Sequence, residues 1–249
     1  MNSDDTADNT DMQRVEFHSH DPRDQLAVDE ALLLEADAGE RGESFRTWSF
    51  DQPVVVLGRS SRIADEVDLQ YCQSMEIPVL RRCTGGASVV GGPGCMMYTV
   101  VLSVARHPEL AKIDAAHRYV MQRVLSAVQA QVPAARQQGI CDLTINDRKC
   151  SGNSLRVSRT HVLYHGTILH DADLELLARC LCHAPRQPEY RRERDHGDFV
   201  TNVALDPGRL AVDLAVRFGV DHSIGTVPLE TALRLREDRY SNEKWHHRH

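Results

Sequence analysis

The segment that most constrains the fold is a small-residue loop between two apolar runs, 77–80 and 98–104. Two arginines, Arg81 and Arg82, open this loop, and two Gly-Gly pairs lie within residues 85–94. Glycines allow positive φ and close backbone approach, so that successive N–H groups can point at one anion. Arginine side chains match phosphate or carboxylate oxygens. The loop matches neither the P-loop nor the dinucleotide fingerprint, so a surface hairpin and an anion-binding loop are both open readings.

The size and charge of the chain exclude several classes of protein. Its 249 residues are enough for one large or two small domains. The net charge of −7 argues against a general nucleic-acid binder. No apolar run is long enough to span a bilayer, and the acidic N-terminus is unlike a signal peptide. Seven cysteines without framework spacing indicate reduced thiols. We therefore expect a cytoplasmic protein without nucleic-acid or membrane partners.

Hydrophobic periodicity predicts more strands than helices, joined by hairpins. Residues 1–13 are expected to form a disordered acidic leader, and 240–249 a polar tail. The turn Asp51-Gln52-Pro53 predicts a hairpin between strands 45–50 and 53–57, and Asn146-Asp147 predicts another tight turn. The remaining predicted strands are 77–81, 98–104, 141–146, 149–157 and 161–170. The predicted helices are 25–34, 64–75, 108–131, 173–182, 207–218 and 228–236.

The longest predicted helix carries an apolar stripe, and the segment 185–202 is arginine-rich and weakly patterned. The stripe consists of Leu110, Ile113, Ala116, Val120, Val124 and Val128. With no repeat and no linker, we expect a single domain over 14–249. Its class is α+β, with a mainly antiparallel or mixed sheet flanked by helices.

Three motifs follow one another in the second and third quarters of the chain. They are Arg-Arg-x-Thr-Gly-Gly at 81–86, Asp-Arg-Lys-Cys-Ser-Gly-Asn at 147–153 and His-Gly-Thr-Ile-Leu at 165–169. Together they resemble the lipoate–protein ligase A family, within the wider biotin/lipoate ligase superfamily. A weaker likeness runs from Leu26 to Trp245, and so covers most of the chain beyond the leader. The resemblance implies a class II synthetase-like catalytic domain.

The resemblance also implies a reaction. Family members attach lipoyl or octanoyl groups to a lysine of lipoyl-carrier domains, in oxoacid dehydrogenases or in the glycine cleavage H protein. The expected substrates are lipoate or octanoate and ATP with Mg²⁺, or a preformed lipoyl-adenylate. The mixed anhydride of an acyl-adenylate carries a phosphate charge beside a reactive carbonyl. Lys149 is expected to hold that charge and polarise the carbonyl, because a compact ammonium suits a point contact.

The family pattern assigns roles to further residues. Arg82 corresponds to the arginine that meets the phosphate, and Gly85 and Gly86 are expected to make room for the acyl chain. The nucleotide-loop positions are Ala87, Ser88, Val89 and Val90, and the other site-lining positions are Ser151, Ser154, Arg156 and His165. The sequence departs from the family at Ala87, where a third glycine is usual, and at residues 91–94, which replace a His-Asp turn. His165 is equally open to being a core histidine bonded to backbone.

Two rival functions follow from the same residues. In an octanoyltransferase or amidotransferase, a cysteine such as Cys141 would take the acyl group from a thioester, although a buried structural thiol is the commoner use of cysteine. Alternatively, the protein is a non-catalytic ligand-binding or adaptor member of the fold. No protein side chains are predicted to bind metal, since Cys180-x-Cys182-His183 lacks a second ligand pair.

The length suggests a catalytic domain without the family's C-terminal accessory domain, and we expect that a separate accessory subunit could be required. The arginine-rich segment 186–194 is predicted either to dock an acidic carrier domain or to be a solvated loop.

Overall fold

The computed structural model describes residues 12–182 and 187–249. The strands are β1 (Met12–Val15), β2 (Ser44–Trp48), β3 (Val54–Leu57), β4 (Val79–Arg81), β5 (Val89–Gly91), β6 (Cys95–Ser103), β7 (Arg136–Gln138), β8 (Asp142–Ile145), β9 (Arg148–Val157), β10 (His161–Leu169) and β11 (Val220–Gly225). The helices are α1 (Pro22–Asp37), α2 (Ile63–Glu66), α3 (Leu69–Ser74), α4 (Ile113–Gln129), α5 (Leu174–Cys180), α6 (His196–Phe199), α7 (Pro207–Phe218), α8 (Leu229–Leu235) and α9 (Glu243–His246). Short 3₁₀ helices span Pro108–Ala111 and Glu189–Arg191, and a π-helical turn spans Arg236–Tyr240.

Two sheets form the centre of the fold. Eight strands pair in the order β11-β1-β2-β6-β10-β9-β8-β7, and three pair in the order β4-β3-β5. All pairs from β2 to β7 along the large sheet are antiparallel, whereas β1 runs parallel to both of its neighbours. The predicted α+β class, with a mainly antiparallel, mixed sheet flanked by helices, is confirmed.

Each face of the large sheet buries its own apolar cluster. Helices α4 and α7 cover one face, while α1, α8 and the small sheet cover the other. The stripe predicted for α4 is buried at Ala116, Val120, Val124 and Val128, but Ile113 is 56% exposed. Within the described residues, no helix has the length and apolar character needed to cross a bilayer.

Helix α1 brings polar groups into the interior. It begins behind Asp21, whose side chain accepts the Arg23 N–H, with Pro22 at the first helical position. Its buried residues include Asp29 and Glu30 as well as the apolar face. Buried carboxylates need partners, because an unpaired charge in the interior is costly. Both partner sets lie near the glycine loop and are described below.

The predicted hairpin at Asp51-Gln52-Pro53 is wrong. Strand β2 pairs with β1 and β6 in the large sheet, whereas β3 pairs with β4 and β5 in the small one. Phe50 packs edge-to-face on Trp48 with ring centroids 4.9 Å apart, and the chain then crosses between layers. The turn residues signalled a change of direction correctly, but not a change of sheet.

The predicted helix 64–75 is divided into α2 and α3. Val67 pairs with Leu181 as an isolated bridge, and the Asp68 carboxylate accepts the Tyr71 N–H at 2.8 Å as a new N-cap. The polar segment from residue 187 to 202 contains a 3₁₀ turn and α6, and His183 and Arg186 lie outside the described residues.

Both predicted ends of the chain need correction. Strand β1 begins at Met12, inside the predicted leader, whose residues 1–11 lie outside the described part. The predicted polar tail is docked against the fold. The Arg81 N–H donates to His246 Nδ1 at 2.9 Å, and Trp245 Nε1 donates to the Arg81 carbonyl at 2.9 Å. The tail thus packs against the start of the glycine loop.

Candidate active site

Lys149 lies in a cavity of ≈ 120 Å³ between the end of the glycine loop and strands β9 and β10. This cavity is called the cleft below. Among the predicted site residues, it is lined by Lys149, Ala87, Ser88, Val89, Val90 and Ser151. Its apolar wall includes Leu169, Leu177, Leu181, Phe199 and Val200. The cleft therefore joins one cation and a stretch of loop backbone to an apolar surface.

The Lys149 ammonium is held by a carboxylate. Its Nζ lies 2.8 Å from Asp142 Oδ1, and the Tyr190 hydroxyl donates to Asp142 Oδ2 at 2.7 Å. The Lys149 side chain is 28% exposed and that of Asp142 11%. A Cβ on Gly152 would lie 3.1 Å from Lys149 Cε and 3.2 Å from Nζ, so the glycine leaves room for the lysine. The ammonium is positioned at the cleft and still reaches solvent.

Arg82 supports the glycine loop from behind. Its guanidinium donates to the carbonyls of Val56 and Ala87, each at 3.0 Å, and to that of Gly85, while Nε donates to Thr84 Oγ1. Burial lowers the pKa of Arg82 to about 10. In this structure Arg82 does not line the cleft. Its hydrogen bonds fix the positions of the loop carbonyls.

The opposite side of the loop is held by a carboxylate that no sequence motif singles out. Glu66 Oε2 accepts the Ser88 N–H at 2.7 Å and the Ser88 hydroxyl at 2.8 Å. Ser154 donates to the Gly85 carbonyl at 2.7 Å, and Gly86 adopts φ +83°. Because only glycine adopts that conformation readily, the turn depends on Gly86.

His165 belongs to a buried chain of hydrogen bonds behind the loop. Its Nδ1 lies 2.9 Å from Asp29 Oδ2, and its Nε2 lies 2.6 Å from Thr84 Oγ1. A carboxylate only accepts, so Nδ1 carries the proton and Nε2 accepts from the threonine hydroxyl. Asp29 also accepts from Thr99 at 2.9 Å. His165 is thus a core histidine, bonded to side chains and not to backbone, that connects α1 to the loop.

Arg156 also lies behind the cleft. Its guanidinium donates to Glu30 Oε1 at 2.7 Å, and Tyr240 donates to Glu30 Oε2 at 2.8 Å. The predicted residues therefore form two groups. One lines the cleft, and the other supports the loop without lining it. The supporting group contains Arg82, Gly85, Gly86, Ser154, Arg156 and His165.

The candidate nucleophile is a poor one in this environment. Burial raises the pKa of the Cys141 thiol to about 11, and its Sγ lies 3.2 Å from the Asn153 carbonyl oxygen. Burial likewise raises the pKa of Cys150 to about 12. With these pKa values both thiols are protonated at neutral pH. Because the reactive form of cysteine is the thiolate, neither is an activated nucleophile.

The structure adds residues that sequence reasoning missed. Glu66, Asp142 and Tyr190 have no motif, and only their contacts with Ser88 and Lys149 reveal them. The Phe199 and Val200 wall comes from the segment that showed no periodicity.

Comparison with known proteins identifies the family. A family model described as the lipoyl protein ligase A/B catalytic domain matches residues 21–208, most of the chain. The chain belongs to this family. A probable lipoate-protein ligase A of Mycoplasma pneumoniae is 28% identical over 160 residues, which are 64% of this chain and 46% of that protein. This family member thus spans about half the length of that relative.

The family includes two kinds of named relative. The octanoyltransferase LipM of Clostridioides difficile is 24% identical, over 88% of this chain and 92% of its own length. A Thermoplasma acidophilum lipoate protein ligase structure with bound lipoic acid aligns with a TM-score of 0.78 at 20% identity, covering 96% of this chain and 99% of that one. A lipoate-protein ligase A bound with ATP gives a TM-score of 0.80 at 21% identity, covering 95% and 98%.

A third solved structure comes from a bipartite system. It is a T. acidophilum lipoate protein ligase described together with its E2 lipoyl domain, with a TM-score of 0.76 at 22% identity, covering 95% of this chain and 96% of that one. These structural likenesses confirm the fold of a lipoyl protein ligase catalytic domain.

Proposed function

We propose that this lipoyl protein ligase family member attaches a lipoyl or octanoyl group to a lysine of a lipoyl-carrier domain, through an acyl-adenylate. The observation that carries the proposal is the Lys149 ammonium, held by Asp142 in a cleft that the loop residues Ala87–Val90 line. Relatives with this fold bind lipoic acid and ATP, which supports lipoate and ATP as substrates here.

The proposed reaction has two steps. The carboxylate of the acyl donor displaces pyrophosphate from ATP, and the carrier lysine amine then attacks the acyl carbon and releases AMP. Charge develops on oxygens in both steps, so a fixed cation and aligned N–H groups stabilise the transition states. Lys149 supplies the cation, and the loop backbone supplies N–H groups. The side chains of Leu169, Leu177 and Phe199 offer an apolar wall for the acyl chain.

The Ser88 N–H and hydroxyl both donate to one carboxylate oxygen of Glu66, which also lines the cleft. This contact supports an oxyanion site at this end of the loop, where a nucleotide phosphate would replace the Glu66 carboxylate. Mg²⁺ would accompany the nucleotide and neutralise part of its charge. The Ala87 carbonyl accepts a hydrogen bond from Arg82, so the loop conformation is stabilised although alanine replaces the family's third glycine.

The partners are part of the proposal. The bipartite T. acidophilum ligase and its E2 lipoyl domain support a lipoyl-carrier domain as acceptor, from an oxoacid dehydrogenase or the glycine cleavage H protein. The same relative supports a requirement for a separate accessory subunit, which would help to form the adenylate.

A thioester-dependent octanoyltransferase is the second candidate, because the LipM relative aligns over 92% of its own length. The raised pKa of Cys141 argues against this thiol as its nucleophile. The two candidates differ in whether ATP is consumed.

Mass spectrometry of a lipoyl-carrier domain tests the proposal. One mixture contains lipoate, ATP and Mg²⁺, a second contains synthetic lipoyl-adenylate, and a third contains octanoyl-carrier protein without ATP. We expect modification in the first or second mixture, with at least a hundredfold loss in Lys149→Ala and no loss in the matched control Lys112→Ala. Modification in the third mixture alone, lost in Cys141→Ala, would establish the octanoyltransferase. No modification in any mixture would contradict both and leave the adaptor hypothesis.

A further inference from the structure

Two histidines and an aspartate converge on the surface away from the cleft. His18 and His20 lie between β1 and α1, and Asp51 lies in the turn after β2. His20 Nδ1 is 2.5 Å from Asp51 Oδ2, and His18 Nε2 is 3.5 Å from the same oxygen. One possible ligand atom from each of the three residues lies within 4.8 Å of the others. None of the three lines the cleft.

We infer that His18, His20 and Asp51 form a binding site for a zinc-like divalent cation. Imidazole nitrogen and carboxylate oxygen are characteristic ligands of Zn²⁺, Co²⁺ and Ni²⁺. Ligand atoms lie about 3.3 Å apart around a tetrahedral ion with bonds of about 2.0–2.1 Å. The two observed separations bracket this value. Opening the His20–Asp51 contact by less than about 1 Å would admit the ion.

The backbone of this site is fixed although its imidazoles are exposed. Ser19, between the two histidines, donates to Asp24 Oδ2 at 2.6 Å and accepts the Asp21 N–H at 3.2 Å. These bonds turn the Ser19 side chain toward the start of α1, and in an extended segment its neighbours point the other way. Only side-chain rotations are needed to bind the ion, because the backbone is already in place.

The imidazoles have no other role in the described part of the chain. Their side chains are 65% and 89% exposed, and neither pairs with any described polar group except Asp51. Their rings are edge-to-face with centroids 5.0 Å apart, which brings the two nitrogen donors to the same carboxylate. A solvated ion pair with Asp51 would need only one imidazole. A cation site accounts for the approach of both His18 and His20 to the same carboxylate oxygen.

A cavity beside the cluster provides room for a further ligand of the ion. His18 also lines a cavity of ≈ 510 Å³ together with Gln25 and Trp48. The Gln25 side-chain nitrogen is buried without a hydrogen-bond partner among the described residues. A water molecule or small oxygen ligand on the cation could accept that N–H. Three protein ligands leave at least one position open for it.

Titration calorimetry with ZnCl₂ and the visible spectrum of the Co²⁺-loaded protein test the inference. We expect one Zn²⁺ per chain, and an increase in Tm of a few degrees at saturating Zn²⁺, because the ion joins two segments of the folded state. Asp51→Asn and His18→Ala should each weaken Zn²⁺ binding by about tenfold or more. All substituted side chains are exposed or partly exposed, and circular dichroism would check the fold.

The histidine-rich C-terminus is the matched control. His247 lies 3.1 Å from Glu243 and could bind Zn²⁺ weakly by itself. His247→Ala/His249→Ala should leave the main Zn²⁺ affinity unchanged. Loss of binding in that variant, or binding that survives Asp51→Asn and His18→Ala, would overturn the inference. Because the readouts are affinity, spectrum and Tm, they are independent of whether the protein acylates a carrier.

Discussion

Single residues decide how the cleft presents its cation. Asp142 accepts from both Lys149 and Tyr190, so one buried carboxylate sets the position of the ammonium. Tyr190 donates to Oδ2 of Asp142, and Lys149 contacts Oδ1. Of these two partners, Lys149 is the one that can also contact a substrate. Under the proposed function, the ammonium would be shared between Asp142 and an anionic substrate without crossing the cleft.

Asp142→Asn tests this positioning role. The amide keeps one oxygen for a hydrogen bond but loses the charge. Under the proposed function we expect kcat/KM for carrier acylation to fall about 10- to 100-fold, because the ammonium is less well oriented. Steady-state kinetics by mass spectrometry would measure the change. Asp147→Asn, in the exposed turn after β8, is the matched control and should retain activity. An equal loss in both variants would contradict positioning by Asp142.

Thiol labelling provides a second test at the same scale. Cys182 is exposed, whereas Cys141 is half-buried, and burial raises the pKa of its thiol to about 11. At pH 7.5 we expect iodoacetamide to modify Cys182 at least about tenfold faster than Cys141, since only the thiolate reacts. Peptide mapping over time measures both rates, and the urea-unfolded protein gives the reference rate. Preferential labelling of Cys141 would show an activated thiol and favour the thioester mechanism.

At the scale of elements, residue spacing and turn residues predicted those helices and turns that depend on neighbours in the sequence. The Asn146-Asp147 turn and the full extent of α7 follow from turn residues and Pro207, and both are confirmed. The α4 stripe is confirmed from Ala116 to Val128 but is wrong at Ile113, which is exposed. The β2–β3 hairpin failed because sheet membership depends on distant partners. The same limit explains the site: Lys149 has a motif, whereas Asp142 and Glu66 matter only through tertiary contacts.

The docked C-terminal segment makes a prediction about pH. His246 Nδ1 accepts the Arg81 N–H, and Nε2 donates to the Tyr240 carbonyl at 3.0 Å, so the folded state requires the neutral ring. Burial lowers the pKa of His246 from its usual 6.5. As pH falls through 6.5 the unfolded chain takes up the proton first, and the free energy of unfolding decreases.

His246→Ala separates this contribution. At pH 7.5 we expect the free energy of unfolding to fall by about 1–3 kcal/mol, because the Arg81 N–H loses its buried partner. The difference from the parent protein should shrink as pH falls below 6.5. Urea unfolding at several pH values measures both effects. His247→Ala, at an exposed position, should change neither, and a pH-independent difference for His246→Ala would contradict the assigned tautomer.

At the scale of the whole molecule, charge must be arranged locally for an acidic partner. Under the proposed function, the net charge of −7 would repel an acidic carrier domain. Arg191 lines the cleft, and Arg192 is exposed beside it. Part of the arginine-rich segment thus lies at the mouth of the cleft, and its docking role stays a prediction.

Arg192→Glu tests that arrangement. Under the proposed function we expect KM for the carrier to rise roughly three- to tenfold with little change in kcat, because charges at the rim of an interface mainly affect association. The effect should weaken as salt is added. Arg217 is an exposed residue of α7, which covers the face of the large sheet opposite the small sheet. Arg217→Glu changes the net charge equally and should leave KM unchanged. Equal effects of both variants would point to net charge alone.

The position of β1 has a consequence for how the chain is made. This strand pairs in parallel with β2 on one side and with β11, from residues 220–225, on the other. A ribosome releases β1 long before β11, so one of the two edges of β1 has no partner until about 200 further residues have been synthesised. Contacts so distant in sequence form slowly. The large sheet therefore stays incomplete until residues 220–225 have been synthesised, and until then one edge of β1 is exposed to chaperones or neighbouring chains.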